Sequence, residues 1–426
     1  MGTLRPERRT RVDLAVSAAI LVVLAVAALV VWAKSPVRHT DSAQSARPAA
    51  DVAPATTVPE RLSVAWRARS TATAGPSLAR SVVVTAADGA VVGRDPATGD
   101  ELWHYRRNLS LCAALAAWPT GTNSVLAVYR NSRGCSEVTA LDGSSGQRVG
   151  ARSSDADDHV QLSSDTGYVV SQGPTRLETW GSNLVRGIEY GRVDAPVKPD
   201  VQPGRTGCRL YSSALGGDRV AVIERCDRDT GYRLTVLGTV LDDDEKVQQY
   251  GSSLITEGTA GPPPVLVAMG SSGIAVYDGG ADPPAPASDT PSGSLAPSIR
   301  RFTTDGVPSA TNLVAGDPSP PTGPAVVTAD GLTSYFTGKS TVILDTQTLR
   351  PIYQVPGTIG SGDTMGGQLL LPIPDGISVR DAATGREIRT IAVPRDGRGD
   401  APVTLRTLGG AVVEQWGSTV QALRAS

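Results

Sequence analysis

From about residue 61 onward, short apolar runs alternate with turn residues along the chain. The runs are rich in Val, Ile, Leu and Thr, and Gly, Asp-Gly or Pro interrupts them, with almost no helical periodicity. Stretches such as "SVVVTAADGAVVGRD" and "QLLLPIPDGISVRD" each indicate two strands joined by a tight turn, and Asp88-Gly89 and Asp375-Gly376 are favourable hairpin turns. The pattern predicts an all-β domain.

The hairpins recur at a nearly regular interval. Eight of them begin near residues 81, 124, 167, 218, 264, 334, 368 and 410. Most intervals are about 40–50 residues, the length of a four-stranded β-propeller blade, and the longest contains a Pro-rich insert at 282–297. Continuous apolar runs such as "SVVV" suit blades that are covered on both faces. We therefore predict an eight-bladed β-propeller, with seven blades as the second choice.

One phrase occurs twice, far apart in the chain. "GRDPATGDELWHYR" spans 93–106 and "SVRDAATGREIRTI" spans 378–391. In both, Asp95 or Asp381 ends the second strand of a hairpin, and the Thr-Gly that follows turns the chain into an outermost strand. Looser versions lie at 141–149 and 344–355. The phrase is interpreted as punctuation of a structural repeat rather than as a binding motif.

The two phrases resemble the repeat of the pyrroloquinoline-quinone-like (quinoprotein-type) β-propeller superfamily. The resemblance covers roughly residues 61–424 and implies an eight-bladed propeller. The superfamily includes quinoprotein alcohol dehydrogenases and the non-enzymatic propeller lipoprotein of Gram-negative outer-membrane assembly. The dehydrogenases hold a calcium ion and often carry a disulfide between adjacent cysteines. No two cysteines are adjacent here, and calcium ligands cannot be placed on matching positions. The resemblance therefore implies the fold and no cofactor.

A closing strand is expected at the start of the propeller. The last hairpin, "GAVVEQWGSTVQALR", ends just before the C-terminus, so its blade lacks an outer strand. In "RLSVAWRARS", Val64 and Trp66 have the apolar spacing of the strand that holds Leu102 and Trp103. We expect residues 61–69 to complete the last blade and close the ring, within an exported domain of residues 61–426.

The N-terminal region predicts a membrane anchor. Residues 14–33 carry no charge and are long enough to cross a hydrocarbon core of about 30 Å. Arg5, Arg8, Arg9 and Arg11 favour a cytoplasmic position for residues 1–13, with the propeller domain extracytoplasmic. A signal peptide cleaved after Ala33 is the alternative. Residues 34–60, rich in Ala, Pro, Ser and Thr, are predicted to form a flexible stalk. The expected location is the cell membrane, with a single pass.

Four cysteines follow the apolar segment, and an even number in an exported chain favours two disulfides. Cys208 and Cys226 flank a hairpin with Gly216-Gly217 at its turn, so they are predicted to face each other. Cys112 and Cys135 bracket a similar unit with a longer turn. Of the three connectivities, nearest-neighbour pairing is favoured.

Candidate catalytic and metal-binding residues are few. The three histidines, His39, His104 and His159, are scattered and give no basis for a zinc site or a catalytic triad. The acidic runs 242–245 and 155–158 could hold calcium but are interpreted as solvated turns. No catalytic, cofactor-binding or metal residue is therefore predicted.

Two further features bear on possible partners. The Pro-rich loops 281–298 and 316–325 are either neutral insertions or docking segments. The net charge of −2 argues against nucleic acid as the main partner.

The expected function is that of a membrane-anchored scaffold or assembly factor in the cell envelope. Its expected partners are envelope or membrane proteins, bound by a monomeric propeller with no cofactor. Two alternatives remain: an oxidoreductase that binds a quinone-type cofactor, and a sensor of cell-wall ligands. Because fold alone does not determine activity, these classes stay open at the level of the sequence.

Overall fold

A computed structural model describes residues 10–194, 196, 198, 200–205, 207–256, 261–280, 296–320 and 326–426. It begins with one helix, α1 (Arg11–Lys34), followed by a 3₁₀ turn at Pro36–His39. The side chain of Thr10 caps α1 by accepting a hydrogen bond from the backbone N–H of Asp13. The large apolar side chains of α1 are exposed, and the helix is long and apolar enough to span a membrane.

The rest of the described chain forms eight antiparallel sheets, the blades of a β-propeller. Before the first blade come two strands, β1 (Thr40–Ala43) and β2 (Leu62–Arg69). The strands of blades 1 to 4, from the first to the fourth in each, are β3 Ser77–Leu78, β4 Val83–Ala87, β5 Ala90–Arg94 and β6 Glu101–Arg107; β7 Leu111–Ala117, β8 Ser124–Asn131, β9 Gly134–Asp142 and β10 Arg148–Ser153; β11 Gln161–Ser164, β12 Tyr168–Gln172, β13 Arg176–Gly181 and β14 Arg186–Gly191; and β15 Arg209–Gly216, β16 Arg219–Arg225, β17 Arg233–Leu241 and β18 Val247–Leu254.

Blades 5 to 8 continue the same order. Their strands are β19 Val265–Gly270, β20 Gly273–Asp278, β21 Ser298–Phe302 and β22 Pro308–Leu313; β23 Val326–Ala329, β24 Leu332–Phe336, β25 Ser340–Asp345 and β26 Pro351–Pro356; β27 Asp363–Met365, β28 Gln368–Ile373, β29 Gly376–Asp381 and β30 Glu387–Ala392; and β31 Thr404–Leu408, β32 Ala411–Trp416 and β33 Thr419–Ala425. The predicted eight-bladed all-β propeller is confirmed.

Blade 8 takes its fourth strand from the other end of the chain. β2, the segment expected to close the ring, pairs antiparallel with β33, from Leu62 opposite Ala425 to Arg69 opposite Thr419. Strands from the two ends of the described chain are thereby joined by a ladder of backbone hydrogen bonds within blade 8, which closes the ring.

The core is divided among the junctions between blades. Among the described residues, eight clusters of buried apolar side chains lie between successive blades around the ring. Between blades 1 and 2, for example, Val84 and Trp103 pack with Val125 and Leu141. Each blade is therefore buried on both faces, which explains the continuous apolar runs of the sequence.

Seven of the eight predicted hairpins are the second and third strands of a blade. The turn at Asp88-Gly89 joins β4 to β5, and both residues have positive φ, as a type I′ turn requires. The hairpin near residue 264 differs, because it consists of the first and second strands of blade 5. The reason is that the Pro-rich insert separates the second and third strands of that blade, between Asp278 and Ser298.

The repeated phrase forms the turn between the third and fourth strands. Asp95 Oδ1 accepts hydrogen bonds from the backbone N–H groups of Ala97 and Thr98, at 2.7 and 3.0 Å. Asp381 Oδ1 accepts one from the N–H of Thr384 at 2.8 Å. The side chain of the aspartate thus takes the place of a backbone acceptor and fixes the turn.

The glycine of this turn supports an aromatic side chain of the preceding blade. Trp66 of blade 8 lies on Gly99 and donates from its indole N–H to Pro96 O at 3.2 Å. Trp103 of blade 1 lies on Gly146 in the same way, and its N–H donates to Gly143 O at 3.0 Å.

A tyrosine makes the equivalent contact between blades 6 and 7. Tyr353 lies on Gly385 and donates from its hydroxyl to Ala382 O at 2.6 Å. Burial raises the pKa of Tyr353 to about 12. The phrase is therefore a structural joint between neighbouring blades, and its spacing of Asp and Gly follows from that contact.

Residues 40–60, within the predicted flexible stalk, lie on the propeller. β1 pairs with the outer edge of blade 1, with Thr40 opposite Arg107 and Ala43 opposite His104. Residues 44–60, the strap, then cross one end of the ring. Composition suggested flexibility because the segment has few large apolar residues. Its contacts use backbone hydrogen bonds and a few small apolar side chains, which composition does not reveal.

The strap visits four blades in turn. Its first hydrogen bonds join Ser45 N–H and Ala49 N–H to the turn of blade 2 that contains Ser144 and Ser145. Val52 N–H then donates to Arg80 O in blade 1, at 3.1 Å. The strap continues past the turns 409–410 of blade 8 and 366–367 of blade 7.

The end of the strap is anchored on blade 7. Arg389 Nη2 donates to Val58 O at 2.8 Å and to Pro59 O at 3.0 Å. The side chain of Val58 is buried in the apolar cluster between blades 7 and 8. The strap therefore bridges the seam where the ring closes.

Candidate interaction face

The loops of the propeller differ sharply between its two ends. Adjacent strands are antiparallel, so two kinds of connection share one end of the propeller, here called the loop face. They are the turns between the second and third strands of a blade and the loops that lead from the fourth strand of one blade to the first strand of the next. It holds the longest connections, such as 192–208, 279–297 and 393–403. The opposite end, the strap face, has short turns such as 217–218 and 330–331. Long loops on a rigid scaffold are the usual place for recognition.

Both disulfides lie at the loop face. The structure joins Cys112 to Cys135 and Cys208 to Cys226, the pairing favoured from the sequence. Cys208 and Cys226 flank the hairpin β15–β16, whose turn is at 217–218, one residue later than expected. The other pair connects the first and third strands of blade 2 rather than two neighbouring strands. Each cross-link thus ties together segments that emerge on the loop face.

A buried ion pair holds one of these loops in place, and a buried carboxylate holds another. Arg395, in the loop 393–403, makes a two-pronged contact with Glu414 at 2.7 and 3.0 Å, and both side chains are almost fully buried. Asp157, in the loop 154–160, accepts hydrogen bonds from the backbone N–H groups of Thr175 and Arg176. Such charge-assisted contacts restrict the loops to one arrangement. These two loops of the loop face are therefore held in fixed positions.

Loop 192–208 is joined to blade 4 by Arg205. Its Nη2 lies 2.7 Å from Asp229 Oδ2 and 3.3 Å from Glu224 Oε1. Glu224 is fully buried and also accepts hydrogen bonds from the hydroxyls of Tyr190 and Thr235. Burial raises the pKa of Glu224 despite these partners. The two acidic side chains are thus occupied by contacts within the fold.

The same hairpin carries two arginines without such partners. Arg209 and Arg225 are paired residues of β15 and β16, both exposed, and neither forms an ion pair with a described residue. The Arg209 guanidinium lies 5.7 Å from the ring centre of Tyr211, which packs edge-to-face on Tyr232. Burial raises the pKa of Tyr232, and the positive charges of Arg225 and Arg209 oppose that rise. Both guanidinium groups therefore lie near one pair of tyrosines.

The candidate histidines lie apart from one another. His39 is in the 3₁₀ turn, His159 is in the loop 154–160, and His104 is in β6. Burial disfavours the charged form of His104, but Glu101 at 2.5 Å and Asp41 at 3.3 Å outweigh this effect and raise its pKa. Since Asp41 belongs to β1, His104 connects the outer strand of blade 1 to the strand that leads into the strap.

The acidic runs have different roles in the structure. The run 242–245 is the turn between β17 and β18, where Asp242 Oδ1 accepts hydrogen bonds from the N–H groups of Asp244 and Lys246. In the run 155–158, Asp157 is largely buried rather than solvated, as the contacts above show. Of the Pro-rich loops, residues 281–295 and 321–325 lie outside the described residues, and both loops connect strands at the loop face.

Comparison with known proteins supports the fold alone. No family model matches the chain, and no curated protein matches it. Among solved structures, it is similar to the computationally designed Ika8 protein, with 15% identity, a TM-score of 0.51, and 87% of this chain and 99% of that chain covered. It also aligns with the dihydro-heme d1 dehydrogenase NirN in complex with DHE, with 13% identity, a TM-score of 0.49, and 83% and 78% covered.

Two features of the site were missed by sequence reasoning. Arg209 and Arg225 adjoin Cys208 and Cys226, so the hairpin register predicted from the cysteines already placed the two arginines opposite each other. The docked strap had no comparable signal, because its partners are distant turns of four blades.

Proposed function

We propose that this protein is a membrane-anchored β-propeller that presents its loop face to protein partners in the cell envelope. The observation that carries the proposal is the concentration of long loops, both disulfides and both Pro-rich connections at one end of the ring. A surface fixed by cross-links and buried ion pairs loses little conformational freedom on binding, which favours recognition.

The connection to α1 supports a role close to a membrane. His39 contacts the propeller through its carbonyl oxygen, which accepts a hydrogen bond from Asn108 N–H in a loop of the loop face. α1 ends at Lys34. The link from Lys34 to His39 therefore spans at most about 20 Å, even when fully extended. With α1 in the membrane and the arginine-rich N-terminus in the cytoplasm, the blade 1 edge of the loop face stays near the outer membrane–water boundary. Partners embedded in or resting on that membrane fit this position.

The proposed role is not enzymatic. The three histidines lie in separate parts of the described chain, and the buried acids Glu224 and Glu414 are each engaged by arginine. Titrating the purified protein with pyrroloquinoline quinone and calcium tests the rival activity. Micromolar binding accompanied by dye reduction would show an oxidoreductase and refute this part of the proposal.

Site-specific photo-crosslinking in living cells tests the interaction face. A photoreactive residue replaces Asp375, exposed on the loop face, or Asp243, exposed on the strap face. We expect Asp375 variants to capture membrane or envelope proteins and Asp243 variants to capture few. Capture from position 243 alone, or from neither position, would contradict the proposal. The two variants share the original residue type and exposure, so each controls for the other.

A further inference from the structure

The hairpin β15–β16 of blade 4 holds two like charges directly opposite each other. Arg209 and Arg225 occupy paired positions, and a register irregularity follows at 210–212. Like charges in this position destabilise an antiparallel pair. An exposed arrangement that opposes folding indicates a use outside the folded chain.

The disulfide maintains this arrangement. Cys208 precedes Arg209 and Cys226 follows Arg225, so the cross-link adjoins both arginines. Mutual repulsion of the guanidinium groups would otherwise favour fraying at this end of the hairpin. The covalent bond holds the two backbone positions together and places both cations at the loop face.

The acidic side chains nearby do not neutralise the two arginines. Glu224 and Asp229 are held by Arg205, as described above. Asp227, the remaining acid of the turn, lies against Gly207 and forms no ion pair with any described residue. The next arginine, Arg228, is also exposed and unpaired within the described chain. Three cations are therefore available at one edge of blade 4.

We propose that Arg209, Arg225 and Arg228 bind the carboxylates of an acidic segment in a partner protein. A guanidinium group offers a planar pair of N–H donors that matches a carboxylate. The arginines lie on an open rim rather than in an enclosed pocket, so a chain with successive carboxylates can engage several at once, whereas a free anion engages fewer. The half-buried ring of Tyr211 adjoins Arg209 and adds an aromatic contact. The inference rests on the proposed function and specifies the chemistry of one contact.

Binding of a fluorescent hexaglutamate peptide to the full chain in detergent tests the inference. Arg209→Gln or Arg225→Gln should each weaken binding about tenfold, since hydrogen bonds to charged groups contribute at that level. The double substitution should remove measurable binding. Arg148→Gln, which changes an exposed and unpaired arginine on β10 of blade 2, is the matched control and should have no effect. The circular dichroism spectrum of each variant checks that it folds.

Two further measurements sharpen the test. Replacing both Cys208 and Cys226 by Ser should weaken peptide binding several-fold although all three arginines remain. Inorganic phosphate should compete with the peptide only at far higher concentration than the peptide itself. The inference would be overturned if Arg209→Gln and Arg225→Gln left peptide binding unchanged, or if Arg148→Gln weakened it as much as they do. Tighter binding of phosphate than of the peptide would also overturn it.

The outcome can be separated from that of the proposed function. If the photoreactive residue at position 375 still captures partners from the Arg209→Gln, Arg225→Gln protein at the original yield, the acidic-segment contact is wrong and the scaffold role stands. If position 375 captures no partner even from the unchanged protein, the scaffold role itself fails.

Discussion

The contact of Trp103 with Gly146 allows a quantitative test of how the blades are joined. Gly146 has a φ of +73°, and a Cβ atom added to it would lie 2.7 Å from Trp103 Cγ. Trp103 is almost fully buried and donates a hydrogen bond to the same turn. Gly146→Ala therefore introduces two costs at once, a strained backbone and a clash with a ring that has little room to move.

The two costs can be estimated separately. The left-handed conformation costs an L-residue about 1–2 kcal/mol, and overpacking of a filled core costs about 1–3 kcal/mol. Gly146→Ala should thus lower the free energy of unfolding by about 2–5 kcal/mol. Gly331→Ala is the matched control, because Gly331 has a φ of +79° and nothing within 4 Å of an added Cβ. The difference between the variants should be about 1–3 kcal/mol, the overpacking cost alone.

Equilibrium urea unfolding of the purified protein measures this difference, with circular dichroism and fluorescence as two probes of the same transition. Trp103→Phe in the Gly146→Ala background should recover part of the loss, because the smaller ring leaves space for the new methyl group. The two substitutions should therefore be non-additive. A difference between the two alanine variants below about 0.5 kcal/mol, or additive effects within that limit, would refute the reasoning.

Three other predictions concern the strap, the charge of one histidine and the cysteines. The charged form of His104 stabilises the docking of β1 on blade 1. Because its pKa is raised, this stabilisation is complete below pH 6.5 and is lost as the pH rises through the raised value. Hydrogen-exchange protection of residues 40–43 should fall over that range, and His104→Gln should remove the pH dependence. Arg389→Gln deletes two hydrogen bonds to the strap and should increase its cleavage in limited proteolysis several-fold, whereas unchanged cleavage would contradict the docking. Cys226→Ser should form mixed or intermolecular disulfides through Cys208 on non-reducing gels, unlike the double Cys→Ser variant, which should lose about 3 kcal/mol of stability at most.

The sequence was informative where structure depends on local periodicity. Each blade repeats the same apolar and turn pattern, so the number of blades could be predicted, and the cysteine pairing of blade 4 followed from one hairpin. The fifth predicted hairpin is present but occupies the first and second strands of its blade, because an insert divides that blade. Predictions therefore succeeded within a blade and weakened where an irregular segment interrupted the repeat.

Contacts between distant parts of the chain were not predictable in this way. The seat of Trp66 on Gly99 requires β2 to lie in blade 8, which depends on its pairing with β33 at the other end of the described chain. The strap depends on turns of blades 1, 2, 7 and 8, none of which has a distinctive sequence for that role. The similarity of the phrases around Asp95 and Asp381 was visible in the sequence. Its reason, the packing of an aromatic side chain from the neighbouring blade on the turn glycine, was not.

In the proposed membrane-anchored arrangement, the docked strap also sets the local concentration of the propeller around a partner in the same membrane. If residues 34–60 were free, their contour would allow an excursion of about 90 Å, against about 20 Å for the link that remains. Effective concentration falls as about the −3/2 power of linker length, so docking raises the local concentration of the loop face near the membrane by about one order of magnitude. A partner in the same membrane could then be bound with an affinity too weak to support binding between free proteins in solution. A partner farther from the membrane could be reached only after the strap dissociated from the propeller.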